Sequence, residues 1–169
     1  MKNILITGAG TGVGLEIAKA ISKQHEVQLF LVGRKKERLE LAADVIREQA
    51  FGNSVIHPLV ADISTDAGLE QIYHFVSMHA QRLEVLINNA GHLLKSAADV
   101  LSREDYLSVY NVNVIAPALL CGRFHGHLKR GKLDLPEVAS HVINISSMGG
   151  VQGTQKFAGL SAYSSSKGA

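Results

Sequence analysis

Between Thr7 and Gly14 the chain reads Thr-Gly-Ala-Gly-Thr-Gly-Val-Gly, and the residues on either side sharply limit its fold. Asn3 to Thr7 is a short β-branched run, and Leu15, Ile17, Ala18 and Ile21 recur at helical spacing beyond the glycines. The order is therefore strand, turn, helix. Glycines in such a turn let the backbone come close to a bound group, and the free amides and positive dipole end of the helix attract negative charge, a pyrophosphate above all. No register of the run completes G-x-G-x-x-G. The pattern is T-G-x-x-x-G-x-G, with Gly8, Gly12 and Gly14 in its fixed places. A tight turn that uses glycine only for backbone freedom is the plainer alternative, and the flanking strand and helix argue against it.

The same alternation continues. Val27 to Val32 reads as a strand, Lys35 to Gln49 as an amphipathic helix, Val55 to Ala61 as a strand, Asp66 to Arg82 as a helix and Val85 to Asn88 as a strand. Ser102 opens a short helix, with Asp105 three residues on resembling a capping box. A longer helix is expected over Asn111 to Leu128, with its straightness in question at Pro117 and its end at Gly126. A polar loop follows, then a strand from His141 to Ser146, a glycine-rich loop from Met148 to Leu160, and a helix opening near Ala162. Strands alternating with helices imply an α/β fold with a parallel sheet. Without linker, repeat or low-complexity tract, residues 1–169 are read as one domain.

Composition narrows the partners. The chain has 169 residues, 46% of them hydrophobic, enough apolar material for a core. A formal net charge of +2, with neither sign in a long block, argues against nucleic acid or an anionic membrane and for a small-molecule ligand. The first strand begins within three residues of Met1, leaving no room for a secretory signal, and the longest apolar stretch, Val114 to Cys121, is too short to span a bilayer. A cytoplasmic location is expected. Cys121 is the single cysteine and lies in an apolar helical run, which reads as an inert buried thiol. His125 and His127 form the only close histidine pair; two apart on a helix, they diverge, so they read as surface residues and no metal site is expected. No G-x-S-x-G elbow surrounds Ser146 or Ser147, which argues against a serine hydrolase.

Two further features point to chemistry. The second strand ends Leu31-Val32-Gly33-Arg34-Lys35-Lys36, with no acid to bond a ribose 2′-hydroxyl. A guanidinium at Arg34 suits a 2′-phosphate, which favours NADP(H) over NAD(H). Lys35 and Lys36 read equally well as the solvated start of a basic helix. Near the C-terminal end stands Ser161-Ala-Tyr-Ser-Ser-Ser-Lys167. On a helix Tyr163 and Lys167 share a face, and an ammonium beside a phenol favours the phenolate, which a free phenol reaches only near pH ~10. Such a pair suits proton transfer at a carbonyl.

Together these residues resemble the short-chain dehydrogenase/reductase family over essentially the whole chain. The resemblance rests on Thr7 to Gly14, Asp62-Ile63, Asn88-Asn89-Ala90-Gly91, Asn113, Ser146-Ser147, and Tyr163 with Lys167. It implies a Rossmann-type doubly wound sheet in three α/β/α layers, with the family's C-terminal strands absent from this chain. It also implies a cofactor site made of Gly8, Thr11, Gly12, Val13, Gly14, Arg34, Asp62, Ile63, Asn89, Ala90, Gly91, Tyr163 and Lys167. Asp62 would contact the adenine amino group, with a loop cap as its plainer role. Asn89, Ala90 and Gly91 would border the adenosine ribose, while Asn88 braces the central strands. The implied catalytic set is Asn113 in a water-mediated proton relay, Ser147 on the substrate oxygen, Tyr163 as general acid or base, and Lys167 on the phenol and the nicotinamide ribose. Some NADP-using relatives place a basic residue in the glycine turn where this chain has Thr11. The Ser147 to Tyr163 segment is a few residues longer than the commonest family spacing, with Gly153 to Gly159 carrying the extra length beside the substrate pocket. A carbonyl or secondary alcohol substrate and a homodimer or homotetramer are implied. A non-catalytic NADP(H)-binding or sensing protein, or an inactive fragment of a reductase, remain the alternatives.

Overall fold

The computed structural model describes residues 1–128 and 139–169. Five strands, β1 (Lys2–Thr7), β2 (Val27–Gly33), β3 (Val55–Val60), β4 (Val85–Asn88) and β5 (His141–Asn144), form one parallel sheet in the order β3-β2-β1-β4-β5. Six helices join or flank them: α1 (Gly12–Gln24), α2 (Lys36–Arg47), α3 (Asp66–His79), α4 (Arg103–Tyr110), α5 (Ala116–Arg123) and α6 (Ser161–Gly168). The chain winds outward from β1 to β3, then returns across β1 to β4. That reversal opens a crevice at the C-terminal ends of β1 and β4, where open α/β sheets bind their ligands.

Alternation along the strands builds two apolar layers. Leu5, Phe30 and Leu86 face Leu69, Ile72 and Val76 of α3 and Leu120 and Phe124 at α5. Their neighbours Ile4, Ile6, Leu29, Leu31 and Ile87 face the other way, against Ala18 of α1 and Leu39, Ala43 and Ile46 of α2. Strands buried on both faces need near-continuous apolar sequence, which is what β2 has.

Several element ends differ from the sequence reading. α2 stops at Arg47 and α3 at His79, where Ala80 turns to an extended conformation and closes the helix by donating its N–H to the Val76 carbonyl. β5 ends at Asn144, although the Ile145 amide still donates to the Asn88 carbonyl. The helix expected from Asn111 to Leu128 is the most altered. It runs on from α4, passes through a π-helical turn at Asn111–Ile115, becomes α5 and ends at Arg123. Pro117 explains the widened turn: it has no amide for the Asn113 carbonyl four residues back, and its ring would collide with that carbonyl in a regular helix. The Ser102–Asp105 capping box forms as expected. His127 is a correction to the surface reading. It is half-buried, its Nε2 lies 3.1 Å from Ser77 Oγ, and its ring meets Tyr73 and Phe124 edge-on; His125 is exposed. Most of the polar loop expected before β5 lies outside the described residues. Among those described, no helix is long and apolar enough to cross a membrane.

Candidate active site

Thr7 ends β1 with its side chain buried, and its hydroxyl oxygen accepts the amides of Asn89 and Ala90, each at 3.1 Å. The Asn89 carboxamide donates back to the carbonyls of Thr7 and Gly8 at 2.9 and 3.2 Å. The glycine turn is thus clamped to the end of β4, and its Ala9 amide also donates to the Val32 carbonyl of β2. Gly14 allows this closeness, because a Cβ there would stand 2.5 Å from both Asn89 Nδ2 and the Gly8 oxygen. Gly12 differs: its φ is +59° and a Cβ would meet nothing within 4 Å, so it serves the backbone path. α1 then begins with Thr11 at its N-cap making no side-chain bond to the first-turn amides and with no acid in that turn. An uncapped helix end facing open space fits an anionic group.

From this turn a cleft of about 920 Å³ runs across the C-terminal ends of the strands. Of the residues the sequence singles out, Gly8, Thr11, Val13, Arg34, Asp62, Ile63, Asn89, Ala90, Gly91, Ser147, Tyr163 and Lys167 line it. Gly12, Gly14 and Asn113 do not. Lys35 and Arg38 join Arg34 in the wall, and none of the three is in an ion pair among the described residues. Lys35, exposed at the N-cap of α2, both opens the helix and faces the cleft. Arg38 was invisible to the strand-end pattern because it enters from the first turn of α2.

Asp62 takes the loop-cap role. Its Oδ1 accepts from the Ser64 amide and hydroxyl at 2.9 and 2.7 Å. Burial pushes its pKa up, but those two bonds and the nearby Arg34 charge outweigh it and leave the carboxyl below its usual 3.8. The loop is compact because Gly68 lies against the Asp62 carbonyl, where a Cβ would come within 1.9 Å.

At the other end, α6 carries Tyr163 and Lys167 into the cleft. The Lys167 ammonium donates to the Ile145 carbonyl at 2.7 Å, and burial pulls its pKa below the ordinary lysine value. Its two remaining N–H groups stay free for other acceptors. The pair of serines after β5 divides by partner. Ser146 Oγ donates to the Lys167 carbonyl at 2.7 Å, which occupies its proton. Ser147 Oγ instead accepts from the Gly149 amide at 3.3 Å, which leaves its own O–H available.

Asn113 sits behind this face. Its Nδ2 donates to the His92 carbonyl at 3.0 Å and to Ser166 Oγ at 2.8 Å, and its Oδ1 accepts the His92 amide at 2.7 Å. Lys167 Nζ and Asn113 Oδ1 lie 3.6 and 3.7 Å from where a Cβ on Gly91 would be, so both pack on that glycine. Ser166, buried and donating to the Tyr163 carbonyl, ties α6 to the π-helical turn. Sequence reasoning missed it inside the serine run; its only signal was its place beside Lys167. Asn88 braces as expected, donating to Asn144 Oδ1 at 2.8 Å and to Cys121 Sγ at 3.8 Å.

Known proteins resemble this chain in sequence and in fold. The family model for short chain dehydrogenases matches residues 2–169. A short-chain dehydrogenase/reductase from a Phoma species, eupG, is 32% identical over 150 residues, covering 85% of this chain and 54% of that protein. Among solved structures, a metagenomic short-chain oxidoreductase in complex with NADP superposes with a TM-score of 0.82 at 24% identity, over 98% of this chain and 70% of its own. The Pseudomonas aeruginosa RhlG/NADP complex gives 0.84 at 24% identity, over 99% of this chain and 62% of its own. The chain spans about half the length of the curated relatives it matches. With the family model running through every element from β1 to α6, this chain belongs to the short-chain dehydrogenase family.

Proposed function

We propose that the chain carries the cofactor site and catalytic residues of an oxidoreductase acting on a carbonyl or secondary alcohol with NADP(H). One observation carries the reading. A single cleft joins an uncapped helix N-terminus, a cationic wall and, at its far end, Ser147, Tyr163 and Lys167. The pyrophosphate would rest on the Gly8 to Gly14 turn and the amides opening α1. Arg34, with Lys35 and Arg38 beside it, would meet the 2′-phosphate, Asp62 and Ile63 would border the adenine, and Ala90 and Gly91 the ribose. Asn89 would border the ribose as well, while its N–H groups hold the turn.

When bound, the nicotinamide supplies or accepts the hydride. Ser147 donates its free proton to the substrate oxygen and fixes its position. Tyr163 hands over the proton that completes reduction, and in the reverse direction takes the alcohol proton as a phenolate. The Lys167 charge favours that phenolate, and its free N–H groups can bond the nicotinamide ribose. Asn113 would support the proton relay through its main-chain carbonyl, because its side chain is engaged by His92 and Ser166 and Pro117 withholds the usual donor. The working protein would be a cytoplasmic homodimer or homotetramer with a small-molecule substrate.

Tyr163→Phe in the natural full-length protein tests the assignment. Turnover should disappear while NADPH affinity stays within about twofold, since only the proton donor is lost. An active Phe variant contradicts the mechanism. A wild-type protein that binds NADPH yet turns over no carbonyl or alcohol in a broad panel moves the reading to a nucleotide sensor.

A further inference from the structure

We propose that Lys156 is a positioning residue for Ser147, holding the loop between the two halves of the catalytic face and orienting the serine hydroxyl through Thr154. The inference rests on the reductase reading above and concerns the substrate side of the same site.

The loop between Ser147 and Tyr163 is held by hydrogen bonds from its own side chains. The Lys156 ammonium has three N–H donors. They reach the Gly149 carbonyl at 2.7 Å, the Val151 carbonyl at 2.6 Å and Thr154 Oγ1 at 3.3 Å. A solvated lysine would spread those donors over water; here each meets an oxygen of one short loop. Thr154 Oγ1 in turn donates to the Met148 carbonyl at 2.5 Å, with the Val151 carbonyl 2.8 Å away as a second acceptor.

The Met148 carbonyl belongs to the same peptide plane as the Gly149 amide, and that amide donates to Ser147 Oγ. The bonds therefore run in one direction, from ammonium to threonine hydroxyl, across one peptide, to the serine oxygen. Aligned donors of this kind polarise one another, and the first of them is charged. A hydroxyl oxygen that accepts a bond is fixed in orientation and becomes a better donor through its own proton. At Ser147 that proton is the one left for the substrate oxygen.

The loop is also set against α6. A Cβ on Gly149 would lie 2.9 Å from Ser164 Oγ, and one on Gly150 2.4 Å from the Lys167 main chain. The Met148–Gly150 turn thus packs on the helix that carries Tyr163 and Lys167, with the Gly150 amide bonded to the Ser147 carbonyl at 2.9 Å. Loosening the loop shifts Ser147 relative to Tyr163 without touching the dinucleotide end of the cleft.

The test uses Lys156→Met, Lys156→Arg and Thr154→Val in the natural full-length protein. It reads amide exchange over 148–154, NADPH affinity, and kcat and KM for a carbonyl that the wild type reduces. Lys156→Met should speed exchange at Gly149 and its neighbours and lower kcat, each on the order of tenfold, the size of one hydrogen bond. The NADPH Kd should stay within about twofold, because the cofactor end does not depend on Lys156, and the loss should fall on kcat more than on the carbonyl KM, because the Ser147 bond strengthens as charge develops on the substrate oxygen. Lys156→Arg should restore most of kcat, and Thr154→Val should reproduce the loss. Wild-type exchange or wild-type kcat in Lys156→Met, with an active wild type and an inactive Tyr163→Phe, overturns this inference alone. A wild type that binds NADPH and reduces no carbonyl contradicts the reductase reading and takes the inference with it.

Discussion

Gly14 has no room for even a methyl group, since its Cβ would stand 2.5 Å from Asn89 Nδ2 and from the Gly8 oxygen. Gly14→Ala should cost about 1–3 kcal/mol in a denaturant titration, the usual range for overpacking a tight contact. It should also weaken dinucleotide binding by pushing α1 off the turn. Unchanged stability would mean that the clamp between β1 and β4 is looser than the geometry implies. Arg34 gives a second prediction. Arg34→Ser should weaken NADPH binding about 10–100-fold, the worth of a charged hydrogen bond, with little effect on NADH; equal loss for both would remove Arg34 from the 2′-phosphate. At this scale the sequence was legible in which residues reach the cleft, as at Gly8, Arg34, Tyr163 and Lys167. It was opaque where a role depends on a partner brought in by folding. Asn89 braces the turn 82 residues away, and Ser166 closes on Asn113 across 53. No local spacing encodes either.

Elements were read well where hydrophobic period and turn residues agree, and poorly where one residue overrides the period. β1 to β4 and α1 to α3 stand within a few residues of expectation because both faces of the sheet demand apolar side chains. The long helix failed at Pro117, which converts a regular helix into α4, a π-helical turn and α5. β3 carries a pH-sensitive residue that its pattern did not reveal. His57 stacks on Phe30 with ring centres 5.1 Å apart, has its Nε2 3.0 Å from Gln28 Nε2, and faces His79 at 4.8 Å. Burial, then the charges of His79 and Arg47, hold its pKa below the usual 6.5. The unfolded chain therefore takes up the proton first as pH falls. The stability tied to neutral His57 is fully present above pH 6.5 and is lost as pH drops through the lower folded value. The thermal midpoint should fall between about pH 7 and 5, and His57→Phe should flatten that slope. A variant with the same slope would place the acid sensitivity elsewhere.

Over the whole molecule, one edge of the sheet is unfinished among the described residues. β5 pairs only with β4, and Val142 and Ile143 are 42% and 43% exposed. An open apolar strand edge invites pairing with another chain. Residues 1–169 on their own should self-associate in sedimentation velocity at micromolar concentration, and a Lys at Val142 should reduce it; a monodisperse monomer would show the edge to be covered. The cleft, by contrast, joins the glycine turn to Ser147, Tyr163 and Lys167, so the proposed dinucleotide recognition and proton transfer would share one continuous surface. The most direct measurement is a parallel titration of the natural full-length protein with NADPH and NADH, followed by carbonyl-dependent NADPH oxidation. The account predicts tighter NADPH binding and turnover with at least one carbonyl. Equal or weaker binding of NADPH, or tight binding with no carbonyl reduced, would contradict it.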